Sequence, residues 1–177
     1  MKCLSNATDY ETTIKLAEQI EICIYDKPVI FHCYWNGELN EKHLISIRSC
    51  YFYNVLQNKK NKIILWLENN LTNDYNKKIE KYADIRVFSL QNELIRTFLE
   101  NKSFYYNKTL SFYSDVVRYI LLYKYGGCWF DLDCFFLRSF EPLFFSFNSE
   151  ICVYQWEEQN YPNGAIYIYH YNPFLKI

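Results

Sequence analysis

Tyr123-Lys124-Tyr125-Gly126-Gly127-Cys128-Trp129-Phe130-Asp131-Leu132-Asp133 reads as the end of one element and the start of another. Upstream, Leu110 to Tyr125 carries Val116, Val117, Ile120 and Leu121 on one side, which predicts an amphipathic helix. Two glycines follow at the place where a helix commonly stops on a residue of left-handed conformation. Cys128 to Leu132 is a compact apolar run and predicts a buried strand. Two aspartates, Asp131 and Asp133, stand at its carboxyl end on either side of Leu132. Alternate residues of an extended chain point to the same side, so the strand predicts two carboxylates facing one point and Leu132 facing the core.

The chemistry of that pair follows from its charge. Two convergent carboxylates repel each other unless a cation lies between them. Hard oxygen donors suit Mg²⁺ or Mn²⁺. Such an ion commonly takes one or two carboxylates from the protein and completes its shell with phosphate and water. A bare D-x-D is commonplace and most often marks a pair of surface aspartates in a turn. Here an apolar strand precedes it and Phe135-Phe136-Leu137 follows it, a context expected to sink both aspartates into a protein wall.

A second constellation lies on the preceding helix. Ser111, Ser114, Asp115 and Arg118 follow i, i+3, i+4, i+7 spacing and share a face. Asp115 and Arg118 are placed to pair and still offer hydrogen bonds to hydroxyls. The plain alternative is an exposed ion pair of little consequence for stability.

Working outward, strand-like and helix-like segments alternate, which points to an α/β layer fold. Thr12 to Ile24 and His43 to Leu56 predict helices; Val29 to Trp35, Ile63 to Leu67 and Asp84 to Phe88 predict strands. Tyr75 to Tyr82 reads as a short polar segment, Gln91 to Glu100 as a further helix, and Glu150 to Tyr154 and Ala165 to Tyr169 as late strands. The order suits a Rossmann-like sheet, whose ligands sit at the carboxyl ends of the strands.

Composition narrows the class. The 177 residues suffice for one domain with its own core, and no linker or repeat divides them. The chain ends on Pro173-Phe174-Leu175-Lys176-Ile177 without a cap, so a single domain over 1–177 is expected that stops in mid-element. A net charge of -1 with scattered Lys and Arg argues against a nucleic-acid partner. The eighteen Tyr, fourteen Phe and four Trp suit pocket walls, although AT-rich coding produces the same bias. Seven cysteines, Cys3, Cys23, Cys33, Cys50, Cys128, Cys134 and Cys152, contain no C-x-x-C pair. They read as free thiols of a reducing, cytosolic compartment. The polar opening from Met1 to Tyr10 is not a signal peptide, and no apolar run is long enough to span a membrane. His32, His43 and His170 are too separated for a zinc site.

The run from Ser114-Asp115-Val116-Val117-Arg118 to Asp131-Leu132-Asp133 resembles the glycosyltransferase family with a sugar-binding region containing a DXD motif. That family includes initiation-specific α-1,6-mannosyltransferases, bacterial capsular transferases and clostridial glucosylating toxins. Its pattern is roughly S-D-x-x-R-x-x-x-L-x-x-x-G-G-x-Y-x-D-x-D, and Trp129 here stands where Tyr is usual. Phe31-His32-Cys33-Tyr34-Trp35-Asn36-Gly37 is similar to the family's first strand and loop, Ile64 to Asn70 to its second strand, and Pro162-Asn163-Gly164 to a later segment.

The resemblance implies a GT-A fold, α/β with a mostly parallel mixed central sheet flanked by helices. It implies an enzyme that moves a sugar from a nucleoside diphosphate sugar, UDP-sugar preferred over GDP-sugar, to a glycan or protein acceptor. Mn²⁺ or Mg²⁺ on Asp131 and Asp133 would neutralise the departing diphosphate. By the same resemblance Trp35 stacks on the base, and Cys33 and Tyr34 line it. Asn70, Ser114, Trp129, Phe130, Asp131 and Leu132 join the nucleotide site, while Asp115, Arg118 and Asn163 face the sugar or acceptor. Two other readings stay open: a nucleotidyltransferase or nucleotide-sugar hydrolase, and an inactive nucleotide-sugar-binding module. The first lacks a Gly-rich phosphate loop; the second is disfavoured by the intact Asp115, Arg118, Asp131 and Asp133.

Overall fold

The computed structural model describes residues 28–69, 73–97, 100, 110–145, 151–153 and 165–169. Strand β1 (Ile30–Trp35) leads into helix α1 (Glu41–Cys50), which continues as a π-helical turn over Tyr51–Val55. Strand β2 (Lys62–Leu67), helix α2 (Asp74–Ile79), strand β3 (Asp84–Val87) and helix α3 (Leu90–Leu94) follow. Then come helix α4 (Leu110–Tyr125), strand β4 (Gly127–Phe130), helix α5 (Glu141–Phe145), and strands β5 (Ile151–Val153) and β6 (Ile166–Tyr169).

The strands form one sheet in the order β3-β2-β1-β4-β6-β5. β3, β2, β1 and β4 run parallel; β6 is antiparallel to both β4 and β5. The sheet is therefore mixed and mostly parallel at its centre, as expected. The central strands are buried on both faces, which is why they read as continuous apolar runs. Phe31, Cys33, Ile63, Leu65, Cys128 and Phe130 pack with Ile47 and Cys50 of α1. Tyr34, Ile64, Trp66 and Trp129 pack with Val117, Leu121 and Leu122 of α4 on the other side. Each fully buried aliphatic or aromatic side chain contributes roughly 1.5–3 kcal/mol against the entropy of ordering the chain.

The junction of α4 and β4 depends on its glycines. Gly126 has φ 65° and its N–H donates to Leu122 O at 2.8 Å, closing the helix. Gly127 has φ 96°, and a Cβ there would lie 2.1 Å from the backbone oxygen of Ile30. Only glycine lets β4 start so close to β1.

Several expectations are corrected. β4 stops at Phe130, so Asp131 to Asp133 form a turn, closed by Cys134 N–H donating to Asp131 O at 2.9 Å. The helix expected over Gln91 to Glu100 spans only Leu90–Leu94. The polar segment around Tyr75 is a short helix made by its cap: Asn73 accepts from Tyr75 N and Asn76 N, and Asn76 returns the bond. The helix predicted over Thr12 to Ile24, and the chain end, lie outside the described residues. Cys33, Cys50, Cys128 and Cys134 are not joined in disulfides. Among the described residues no helix is long and apolar enough to cross a membrane.

Candidate functional site

β1 has β2 on one side and β4 on the other. The direction of strand addition thus reverses beside β1, which in an open α/β sheet places the ligand crevice at its carboxyl end. Trp35 closes β1, Glu68 follows β2, and Asp131 follows β4. The pairing Phe31 with Cys128 and His32 with Trp129, continued by two residues, sets Asp131 level with Tyr34.

Asp131 is the centre of a connected set. Its backbone N–H donates to Ala165 O at 2.9 Å, fixing the strand end to the segment before β6. Its Oδ1 accepts from Trp129 Nε1 at 2.8 Å and lies 3.4 Å from an Arg118 nitrogen. Arg118 in turn donates to Asp115 Oδ1 at 2.8 Å, and its guanidinium lies over the Trp129 ring, 5.2 Å from the centroid. Arg118 is buried, whereas Asp115 is half-exposed. The exposed ion pair that the i, i+3 spacing permitted is therefore not what forms: α4 drives the guanidinium inward under β4.

Burial raises the Asp131 carboxyl above the ordinary aspartate range. The Trp129 hydrogen bond and the Arg118 charge oppose that rise, and the neighbouring Asp133 charge adds to it. Asp133 is exposed, and Leu132 between the two is buried. The in-and-out pattern expected of a strand is present, but a turn produces it. The following apolar run does not sink both aspartates, because only Phe136 is buried while Phe135 and Leu137 are exposed. Phe136 N–H donates to Ser49 Oγ at 3.0 Å, and Ser46 Oγ donates to Cys134 O at 2.7 Å, which pins this loop to α1.

Whether the pair suits a divalent cation is decided by its free oxygens. Asp131 Oδ2 and the Asp133 carboxylate take no hydrogen bond from any described residue, and both are hard donors beside each other's charge. No cluster of three or more His, Cys, Asp or Glu exists among the described residues. Two carboxylates fit Mg²⁺ or Mn²⁺, whose other ligands come from phosphate and water, and do not fit a closed all-protein cage.

At the end of β1, Trp35 is partly exposed. Its Nε1 donates to Glu38 O at 3.1 Å and its ring lies 4.1 Å from that of His43. Gly37, at φ 137°, lies beside the indole: a Cβ there would stand 3.5 Å from Trp35 Nε1. Cys33, Tyr34 and Trp35 do not make one patch. Cys33, like Phe130 and Leu132, has its side chain in the core, which leaves only backbone to meet a ligand. Tyr34 faces the opposite side of the sheet from Trp35 and donates its hydroxyl to Glu68 Oε2 at 2.8 Å. Trp129 is 1% exposed and, among the described residues, meets the site through Arg118 and Asp131. Ser114 is partly exposed on α4. Asn70 and Asn163 lie outside the described residues.

Two features escape sequence reasoning. Glu68 stands at the crevice edge, and its N–H donates to Trp35 O at 3.1 Å; a lone acid after a strand gives no signal by itself. His32 is fully buried, accepts from Trp66 Nε1 at 3.1 Å and donates Nε2–H to Gly126 O at 3.1 Å. It braces the α4–β4 junction, and its isolation in sequence hides this.

A family described as "Glycosyltransferase sugar-binding region containing DXD motif" matches residues 8–154. Among solved structures the chain is similar to one titled "PaToxG Glycosyltransferase", with 16% identity and a TM-score of 0.41. That likeness covers 72% of this chain and 49% of the other, so the chain spans about half of that structure's length. No curated protein sequence matches the chain.

Proposed function

The chain belongs to the glycosyltransferase family defined by a DXD-containing sugar-binding region, and from that premise we propose that it transfers a sugar from a nucleoside diphosphate sugar to a glycan or protein acceptor. UDP is the preferred carrier, with Trp35 stacking on its base. Asp131 and Asp133 would hold Mn²⁺ or Mg²⁺, which stabilises the negative charge on the diphosphate as it leaves. The free thiols fit a reducing, cytosolic setting.

The observation that carries this reading is the chain of contacts Asp115–Arg118–Asp131 at the sheet's switch point. Arg118 offers a fixed planar fork whose charge does not titrate away. It orients Asp115, whose exposed carboxylate accepts from sugar hydroxyls, and orders Asp131 for the phosphate side. Leu132 anchors the turn between the two acids. Sugar and diphosphate are thereby held on one rigid junction, and positioning of this kind is a large part of what a transferase supplies.

The test is calorimetric titration of UDP and GDP, each with and without Mn²⁺, alongside hydrolysis of the corresponding nucleotide-sugars. UDP should bind more tightly with Mn²⁺, and Asp133→Ala should abolish that gain while leaving the fold intact. An unchanged Mn²⁺-dependent affinity in Asp133→Ala would sink the metal-bridge reading, and tighter GDP binding would reassign the carrier.

A further inference from the structure

We infer that Trp129 is a positioning residue that presets the Asp131 carboxylate, rather than a contact for the nucleotide. The inference rests on the reading that Asp131 and Asp133 hold a cation for a nucleoside diphosphate. It adds a residue that acts through one of them.

Three observations carry it. Trp129 is 1% exposed on a central strand, so no ligand reaches either face of its ring. One face is taken by the guanidinium of Arg118, 5.2 Å from the centroid. Its single polar atom, Nε1, is spent on Asp131 Oδ1 at 2.8 Å. An indole N–H is a donor only, so its partner must be an acceptor, and the ionised carboxylate is the strongest one within reach. Both neighbours of the carboxylate, Trp129 and Arg118, address Oδ1, and no described residue addresses Oδ2.

The consequence is a carboxylate fixed before any ligand arrives. A free aspartate at a turn samples several rotamers, and a cation must select one. Here Oδ1 is held by a buried indole on the strand that leads into the turn, and Oδ2 is left as the oxygen that can coordinate. Groups of this kind around a ligating residue commonly set its orientation, and their loss typically costs about 10–100-fold in metal affinity. Preorganisation lowers the ordering cost of binding without adding a contact. Trp also keeps, at this position, the large aromatic side chain that the family pattern carries as Tyr, while its donor-only N–H cannot turn away as an acceptor.

The experiment compares the wild type with Trp129→Phe and Trp129→Tyr. For each, UDP affinity is measured calorimetrically with and without Mn²⁺, and Mn²⁺ binding in the presence of UDP is followed by electron paramagnetic resonance. Phe removes the donor and keeps a ring; Tyr keeps a ring and a hydroxyl donor; the two leave similar voids. In Trp129→Phe the Mn²⁺-dependent gain in UDP affinity should fall about tenfold, while metal-free UDP affinity stays within about twofold. Trp129→Tyr should recover most of the gain, and it carries the test by itself if the Phe variant does not fold. Equal loss of metal-free and Mn²⁺-dependent affinity, or a gain unchanged in Trp129→Phe or lost in Trp129→Tyr, overturns the inference. A wild type whose UDP affinity ignores Mn²⁺ overturns the metal reading itself and this inference with it.

Discussion

Arg118 on α4 and Asp131 after β4 lie thirteen residues apart in sequence and meet at 3.4 Å, with the Arg118 side chain almost wholly buried. The same guanidinium holds Asp115 at 2.8 Å. One cation thus serves both carboxylates, the one we propose for the sugar and the one we propose for the metal.

That sharing separates two variants that sequence spacing alone makes equivalent. Asp115→Ala removes a half-exposed acceptor and should cut sugar transfer and donor hydrolysis by orders of magnitude. Its UDP affinity in Mn²⁺ should change little, and its stability should fall by about 1–2 kcal/mol, because the buried Arg118 loses its shorter ion pair but keeps Asp131. Arg118→Ala also strands Asp131 and should lose the Mn²⁺-dependent part of UDP binding. Its stability should fall by about 2–3 kcal/mol, below the range for fully buried pairs because Asp131 is partly solvated. Turnover, UDP titration and urea unfolding on the two variants check this; identical profiles would mean that Arg118 does not couple the two acids.

Trp35 tests the base pocket. Its ring packs on His43 yet is partly exposed at the end of β1. Trp35→Ala should weaken UDP and UDP-sugar alike by ~1–3 kcal/mol, the usual worth of base–aromatic stacking. Unchanged affinity for free UDP would make Trp35 a packing residue for α1 and remove the base assignment.

The parts of the fold that sequence reveals are those with a strong local cause. α4 and its stop are legible because an apolar stripe ends on two glycines, and β1 and β2 because both their faces are apolar. α2 is not, since six residues carry too little periodicity and its cap, Asn73, looks like any loop asparagine. The same divide runs through the site. Asp131 and Asp133 are legible from the motif, and the pairing of Asp115 with Arg118 from helical spacing. The bond from Trp129 to Asp131 and the reach of Arg118 across to β4 are not. They depend on the angle at which Gly126 and Gly127 turn the helix into the strand, which no spacing rule encodes. An aromatic residue in a buried strand reads alike whether it fills the core or orients a carboxylate.

That turn can be tested directly. Gly127→Ala would place a methyl 2.1 Å from Ile30 O while also holding alanine at φ 96°. Backbone atoms of β1 cannot give way as a flexible side chain does. The variant should lose about 3 kcal/mol or more, from the left-handed backbone and the displaced strand together. Gly126→Ala, at φ 65°, should lose less. Similar urea midpoints for wild type and Gly127→Ala would show that β4 can move away from β1.

The acid limb of stability should trace to His32. Burial drives this imidazole down to about 3, from an ordinary value near 6.5. The fold holds it neutral, with Nδ1 accepting from Trp66 and Nε2–H donating to Gly126 O. Above pH 6.5 both folded and unfolded chains carry it neutral, and it makes no difference to stability. As pH falls below 6.5 the unfolded chain takes up a proton that the folded chain refuses, so stability declines until the pH nears 3. At pH 5 the loss is about 2 kcal/mol, a figure set by the unfolded value alone as long as the folded value lies well below 5. His32→Gln keeps an acceptor for Trp66 and a donor for Gly126 but cannot take up the proton. His43, whose imidazole is also lowered by burial and then by the Lys42 charge, stays in both proteins and cancels. Between pH 7.5 and pH 5, urea unfolding should therefore show a stability loss about 2 kcal/mol smaller in His32→Gln than in the wild type. Equal losses in the two proteins would mean that His32 accepts its proton inside the fold, and that the bracing of Gly126 does not require a neutral ring.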